Sequence, residues 1–364
     1  MKKVIIIVLI CAAIVAIIIN VQPKNNDTIK IGAVISLTGF AAPWGEYSKN
    51  GMELAVKNIN ANGGINGRQI ELVIEDDHTE GKDAVTAYNK LVSLDNVDGV
   101  IGGTFDFTAQ PLIPLALNNK RAFISPANFR IEEGFDLNAQ SFVMRTNFNQ
   151  PLGELRRYLE KEKINNLAVV HLQSSFGKEI AKTLDSVMKS LGYAGIVNEE
   201  YTQIGNNDFK TTIAKLKSQK VDAVFLDMVG NDPVNFLVQS KQLGFTPKII
   251  SYNGLTDSFV DEKDKSILEG VAIINWEVSS PEFTKLYKAE YNAEPAKSAD
   301  KSFEAVHVLA DAIAKTTDAS QVASYIAQNS FETPNGVIKF NPDHTTQSNL
   351  VEIQVIRNGV QVKY

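Results

Sequence analysis

The chain has one cysteine among 364 residues, and that one, Cys11, lies inside an apolar run. A disulfide framework and a Cys-based metal site are both excluded. Of the four histidines, His78 lies at a strand end, His171 on a strand, His307 on a helix face and His344 in a loop, with no metal-ligand spacing among them. There is no basic run and the net charge is −6, which argues against nucleic acid as a partner. The chain has no Gly-x-Ser-x-Gly elbow and no His-Glu-x-x-His, and Ser125 before Pro126 has no evident base near it in sequence. These absences leave a protein that is not an enzyme and needs no metal or cofactor.

What is present is a globular composition, 44% hydrophobic and 8% aromatic. The length exceeds one ordinary core and suggests two domains of about 100–200 residues each. Residues 1–27 stand apart. Lys2 and Lys3 precede the unbroken apolar run VIIIVLICAAIVAIII, residues 4–19. As a helix it spans about 24 Å, within reach of a hydrocarbon core of about 30 Å if the flanks snorkel or the bilayer thins. No small-x-small cleavage site follows, so the segment reads as an uncleaved anchor with the remainder outside the cytoplasm. The alternative is cleavage, giving a secreted or periplasmic protein. Ile10 before Cys11 does not fit a lipoprotein signal, which needs a small residue there.

Beyond residue 28, strand-period and helix-period segments alternate. TIKIGAVISL, RQIELVIEDD, VDGVIGG and RAFISPA read as strands, separated by helical GEYSKNGMELAVKNINANGG, GKDAVTAYNKLVSL and TAQPLIPLALNN. The rhythm restarts after Asn147 with NLAVVHL, GIVNEEY, VDAVFLDM and PKIISYN as strands. Such alternation predicts α/β architecture: two doubly wound parallel-sheet lobes. The last third offers two helices, SPEFTKLYKAEYN and SADKSFEAVHVLADAIAKT, and a hairpin turned by Asn358-Gly359. That is too little for a third core, so these pieces are expected to return to the two lobes and make a multi-strand hinge. The expected division is 1–27 for anchor and linker, 28–147 with 277–348 for lobe 1, and 148–276 with 349–364 for lobe 2. Gly63-Gly64-Ile65-Asn66-Gly67 follows a helix and precedes a strand, the wrong order for a phosphate loop, and reads as a helix stop and turn.

Ligands of open parallel sheets sit at the carboxyl ends of the strands. Here those loops are LTGFAAPWGE, EDDHTEG, GGTFDFTAQ and SPANFRIEE in lobe 1, and LQSSFG, DMVGND and SYNGLTD in lobe 2. In EDDHTEG the adjacent carboxylates Asp76 and Asp77 point apart in an extended chain, so a structural role is preferred to a metal site.

The opening block IKIGAVISLTGFAAPWGEYSKNGMELAVKNINANGGINGRQIELVIEDD resembles the amino-terminal signature of the periplasmic binding proteins of the branched-chain amino acid type. VDGVIGG, AFISPA, DFKTTIAKLK with VDAVF, and LVQSKQLGF keep that family's order, so the resemblance runs from Thr28 to Tyr364. It implies the type I periplasmic binding protein fold and a solute-binding function for an ABC importer, with permease subunits as partners. A ligand-sensing receptor subunit acting through a signalling partner is the alternative.

By the local match, the family's carboxylate-binding serine falls on Asp106, a threonine on Phe129, the ammonium-binding acid on Asn253, and two aromatic positions on Trp44 and Phe176. A carboxylate at Asp106 repels a ligand carboxylate by several kcal/mol in a partly desolvated cleft. The residues favour a cationic or N–H donor group on Asp106 and a planar or apolar body against the aromatic rings. An amine, amide, amidine or nitrogen heterocycle fits, as does an amino acid turned round. The expected ligand-binding residues are Trp44, Thr104, Asp106, Phe107, Ala127, Phe129, Phe176 and Asn253. Asp106 either caps a helix starting near Thr108 or meets the ligand. In an extended chain Phe105 and Phe107 point opposite ways, one to the core and one to the cleft.

Overall fold

The computed structural model describes residues 28–127, 137–144, 149–205, 208–252, 266–275, 279–295, 298–346 and 352–364. The first sheet holds β1 (Ile29–Ile35), β2 (Ile70–Asp76), β3 (Gly99–Gly102), β4 (Phe123–Ser125) and β5 (Ser141–Val143), all parallel, in the order 2-1-3-4-5. The second holds β6 (Leu167–Leu172), β7 (Ile196–Tyr201), β8 (Ala223–Asp227), β9 (Lys248–Tyr252), β10 (Ala272–Asn275), β13 (Glu352–Arg357) and β14 (Val360–Lys363), in the order 14-13-10-9-8-6-7. Its pairings are parallel except β10 with β13 and β13 with β14, so β13 alone runs against the other strands. A two-stranded hairpin, β11 (Ser330–Thr333) with β12 (Gly336–Lys339), lies apart from both.

Strand parity sets two apolar layers per sheet. Ile29, Ile31, Ala33 and Ile35 face one layer and Val34 the other. The first layer packs on α1 (Ala42–Ala61), and the second on α2 (Gly81–Ser93) and, beyond the one-turn α3 (Asp106–Ala109), on α4 (Leu112–Asn119). In the second sheet Leu167, Val169, Ala223 and Phe225 face α5 (Asn149–Lys161) and α6 (Ser175–Ser190). Ala168, Val170, Val224 and Leu226 face α7 (Lys210–Ser218) and α8 (Asp232–Gln242). Each sheet is thus sandwiched by helices, as the alternating sequence requires.

The final third joins both halves. Helices α9 (Pro281–Tyr291), α10 (Ala299–Lys315) and α11 (Ala319–Gln328), with Phe331 and Ile338 of the small hairpin, complete the first sheet's core. The chain then returns to add β13 and β14 to the second sheet, so it passes between the sheets three times. Near the first and last passes, Val143 and Thr345 form a parallel bridge. The β13–β14 turn has Asn358 and Gly359 both at positive φ, 52° and 73°, as a type I′ turn demands. Helix α11 and the β11–β12 hairpin were not expected from sequence: ASQVASYIAQ is short, and SFETPNGVIK carries its Pro-Asn-Gly turn in a hairpin too small to stand out.

No helix among the described residues is long and apolar enough to cross a membrane. The apolar run 4–19 lies outside the described residues.

Candidate functional site: two sheet mouths that meet

The order 2-1-3 puts the first sheet's topological switch between β1 and β3, and the order 7-6-8 puts the second's between β6 and β8. These are the places where an open α/β sheet leaves a crevice. The residues just past β1 and β3 are 36–44 and 103–108; those at the ends of β6 and β8 are 172–177 and 227–232.

The first mouth is built around its carboxylates, used as scaffolding. Asp76 accepts from the backbone N–H of Leu37 (2.9 Å), Thr38 (3.2 Å) and His78 (2.8 Å), and from the Thr38 hydroxyl (2.7 Å). Burial pushes its carboxyl up, but the bonds from Thr38, His78 and Leu37 outweigh this and hold it below the ordinary value. Asp77 is fully buried and accepts from the Ser36 hydroxyl at 2.6 Å and Thr79 N–H at 2.9 Å. Both acids fix the loop that leads into α1. Among the described residues no group of His, Cys, Asp and Glu could hold a metal ion.

On that loop and the next sits an aromatic group. The Trp44 and Phe105 rings meet edge to face at 5.4 Å, and Phe40 lies 5.7 Å from Phe105. Phe105 and Phe107 stack at 5.7 Å and 6°. The expected division of these two between core and cleft does not hold, because the chain is not extended there: α3 begins at Asp106, and the turn brings the rings to one side. Thr104 accepts from the Ser36 N–H at 3.0 Å and ties the β1 and β3 ends together. Ala127, 8% exposed, packs in the apolar layer with Ala109 and Leu112.

Asp106 is the first residue of α3, two positions earlier than a helix start at Thr108. It is 6% exposed. Its Oδ1 accepts from the Phe107 N–H at 2.9 Å, and its Oδ2 from the Phe176 N–H at 3.3 Å. The second of these bonds crosses from one mouth to the other. Beside it Trp44 and Ala41 pack with Val229 of the second half, with Phe40, Phe105 and Ile204 around them. Trp44, Thr104, Asp106, Phe107 and Phe176 are therefore brought together where the mouths meet. Phe129 and Asn253 lie outside the described residues.

The second mouth has buried acids. Asp227 ends β8, 3% exposed, and its parity with Ala223 and Phe225 aims it at the first turn of α6. The Tyr252 hydroxyl donates to its Oδ1 at 2.8 Å, while Oδ2 has no hydrogen-bond partner among the described residues. Burial, only partly opposed by Tyr252 and reinforced by the field of Asp106, raises its carboxyl to about 7. Asp232 is fully buried too, and burial raises it to about 6 against the bond from Gly205 N–H at 3.0 Å. The Tyr252 ring meets Phe176 edge to face at 5.6 Å. Asp227 and Tyr252 were in the loops read from sequence but not singled out; the signal was an all-apolar strand, AVFLD, ending in a carboxylate.

A family model for periplasmic binding proteins matches residues 28–359. The chain belongs to the periplasmic binding protein family. It is 29% identical over 334 residues to the leucine-, isoleucine-, valine-, threonine- and alanine-binding protein of Pseudomonas aeruginosa, covering 86% of each chain. It is 26% identical over 328 residues to the Leu/Ile/Val-binding protein of Escherichia coli K12, covering 86% of this chain and 87% of that protein. Among solved structures, it matches the branched-chain amino acid transporter substrate-binding protein LivJ of Streptococcus pneumoniae, in complex with isoleucine. That match has TM-score 0.78 and 25% identity, over 93% of this chain and all of that one. A type 1 periplasmic binding protein of Bordetella pertussis shares the fold at TM-score 0.82 and 21% identity, over 93% of this chain and 100% of that one. The family-type binding protein is an extracytoplasmic solute-binding protein, not an enzyme.

Proposed function

We propose that this periplasmic binding protein captures a small amino-acid-like or nitrogen-containing solute between its two sheet mouths and delivers it to the permease subunits of an ABC importer. The observation that carries this reading is the bond from Phe176 N–H to Asp106, which joins loops at the switch points of both sheets. A solute enclosed there contacts both halves at once and so favours the closed arrangement by its differential affinity. The ligands for which the relatives are named, leucine, isoleucine and valine among them, support an amino-acid-like body. The aromatic group of Trp44, Phe107 and Phe176 suits that body, with Phe129 and Asn253 added by the sequence match and Ala127 as a further expected contact. Asp106 takes the solute's N–H or cationic group.

The proposed lobes are residues 28–147 with 277–348 and 148–276 with 349–364, hinged at the passes between them. Residues 4–19 form the anchor holding the protein at the outer face of the membrane. Fractionation tests the anchor: intact protein beginning at the lysines should stay with membranes, and a shortened soluble form would contradict it. A thermal-shift screen against amino acids, amides, amines and nucleobases tests the function. A true solute at a hundredfold excess over its Kd stabilises by about 2.7 kcal/mol. A screen in which no compound moves the transition contradicts solute capture.

A further inference from the structure

Asp106 and Asp227 come from different sheets yet flank the same two residues. Asp106 Oδ2 is bonded to the N–H of Phe176, and a Cβ placed on Gly177 would lie 2.9 Å from Asp227 Oδ2. Helix capping does not account for Asp227. Ser174 already accepts from the Gly177 N–H at 3.0 Å, and Asp106 already serves Phe176. Asp227 is instead pinned through one oxygen by Tyr252, with the other unpartnered among the described residues and 3% of the residue exposed.

The groups around Asp227 do not supply a countercharge. Tyr252 lies on β9, and His171 is its register partner on β6. The His171 ring is engaged elsewhere, Nδ1 with the Leu172 carbonyl at 2.8 Å and Nε2 with Asn198 at 3.0 Å. Tyr201 at the end of β7 feels the fields of both Asp227 and Asp232. The charge acting on Asp227 among the described residues is that of Asp106, another carboxylate. The positive end of α6, worth about half an elementary charge, offsets only part of two carboxylates.

We propose that Asp227 is a specificity-determining residue which, with Asp106 on the opposite mouth, selects a solute carrying a positively charged nitrogen and no free carboxylate. The inference rests on solute capture in this cleft and names the solute's class: an organic amine or amidine with an apolar body. The cation relieves the repulsion between the two carboxyls, so its arrival favours closure of one mouth on the other. Because burial keeps Asp227 partly protonated near neutrality, a cation beside it drives that proton off, and binding is proton-linked.

The experiment is calorimetric titration of the full-length protein in detergent with isopentylamine, leucinamide and leucine, which share a side chain and differ in the carboxylate. In two buffers of different ionisation enthalpy it also counts protons released. The amine and amide are expected to bind at least about tenfold more tightly than leucine, a carboxylate-repulsion effect of ordinary size. Proton release is expected for the wild type near neutral pH and should vanish in Asp227→Asn, whose amine affinity falls by about tenfold. Leucine binding tightest, with no proton release and no effect of Asp227→Asn, overturns the inference while leaving solute capture intact. Binding of none of the three overturns the inference, and failure of the wider thermal-shift screen as well overturns solute capture. If Asp227→Asn does not fold, proton release by the wild type alone decides the matter.

Discussion

At the first sheet's mouth Asp76 has its carboxylate engaged by Leu37, Thr38 and His78; at the second, Asp227 has one oxygen on Tyr252 and the other unpartnered among the described residues. Both acids terminate a parallel strand at the carboxyl edge of a sheet. The first is tied up in building a loop, and hydrogen bonds hold its carboxyl below the ordinary value. The second is packed away from water, and burial lifts it to about 7. The same residue type at the carboxyl ends of two parallel strands, β2 at the edge of one sheet and β8 beside the switch point of the other, thus does opposite work, and the number of N–H and O–H donors its neighbours supply decides which.

The backbone device is shared. Gly45 in the first turn of α1 and Gly177 in the first turn of α6 each lie against the end of the preceding strand. A Cβ on Gly45 would meet the Ser36 carbonyl oxygen at 1.8 Å, and one on Gly177 the Leu172 carbonyl oxygen at 2.3 Å. Gly45→Ala faces rigid backbone and is expected to cost about 4 kcal/mol by urea denaturation. Gly177→Ala overlaps its backbone oxygen less severely, at 2.3 Å against 1.8 Å, so its cost should be smaller; the reverse order would break the parallel.

The carboxylates provide the next largest effects, and they differ in sign. Asp76→Ala removes the acceptor for three backbone N–H groups and a hydroxyl, and is expected to destabilise by about 2 kcal/mol. Asp227→Asn removes a buried charge without a countercharge and should stabilise the ligand-free protein at pH 7.5 by about 1 kcal/mol. Thermal unfolding of the two variants side by side checks both signs.

The pH profiles should separate likewise. The Asp227 carboxyl is raised from 3.8 to about 7 on folding, so between those values the native state holds a proton that the unfolded chain has lost. Its contribution is full below about pH 4 and declines as pH rises through about 7. Asp76 is lowered, so its contribution is present above the ordinary carboxylate value and is lost as pH falls through the folded value. Subtracting the Asp227→Asn profile from the wild type should leave a decline between pH 4 and 7; a flat difference contradicts the assignment. The smallest effect is expected from Ser174→Ala, which loses the cap bond to Gly177 and about 0.5 kcal/mol in the same unfolding measurement.

Most strands and helices of both sheets were legible because short apolar runs such as IKIGAVI alternate with helix-period segments such as GKDAVTAYNKLVS; β5 and β10, three and four residues long, were too short to stand out. The Asn358-Gly359 turn was legible for the same local reason, since both positions need positive φ. The stack of Phe105 on Phe107 was not, because one helical turn starting at Asp106 overrides the extended geometry that the preceding strand suggests. Nor was the bond from Phe176 to Asp106, which spans 70 residues and exists only once the two mouths meet. Asp227 was hidden differently: its chemistry comes from burial and from too few donors, neither of which a residue name reveals.

The central claim, that the Asp106 carboxylate sets what the closing mouths accept, is tested most directly by titrating Asp106→Ser with leucine and leucinamide. The account predicts that the variant reverses the wild-type order, gaining leucine and losing leucinamide, because a hydroxyl replaces the charge that repels a carboxylate and holds a cation. Equal leucine affinity in the wild type and the variant would contradict it.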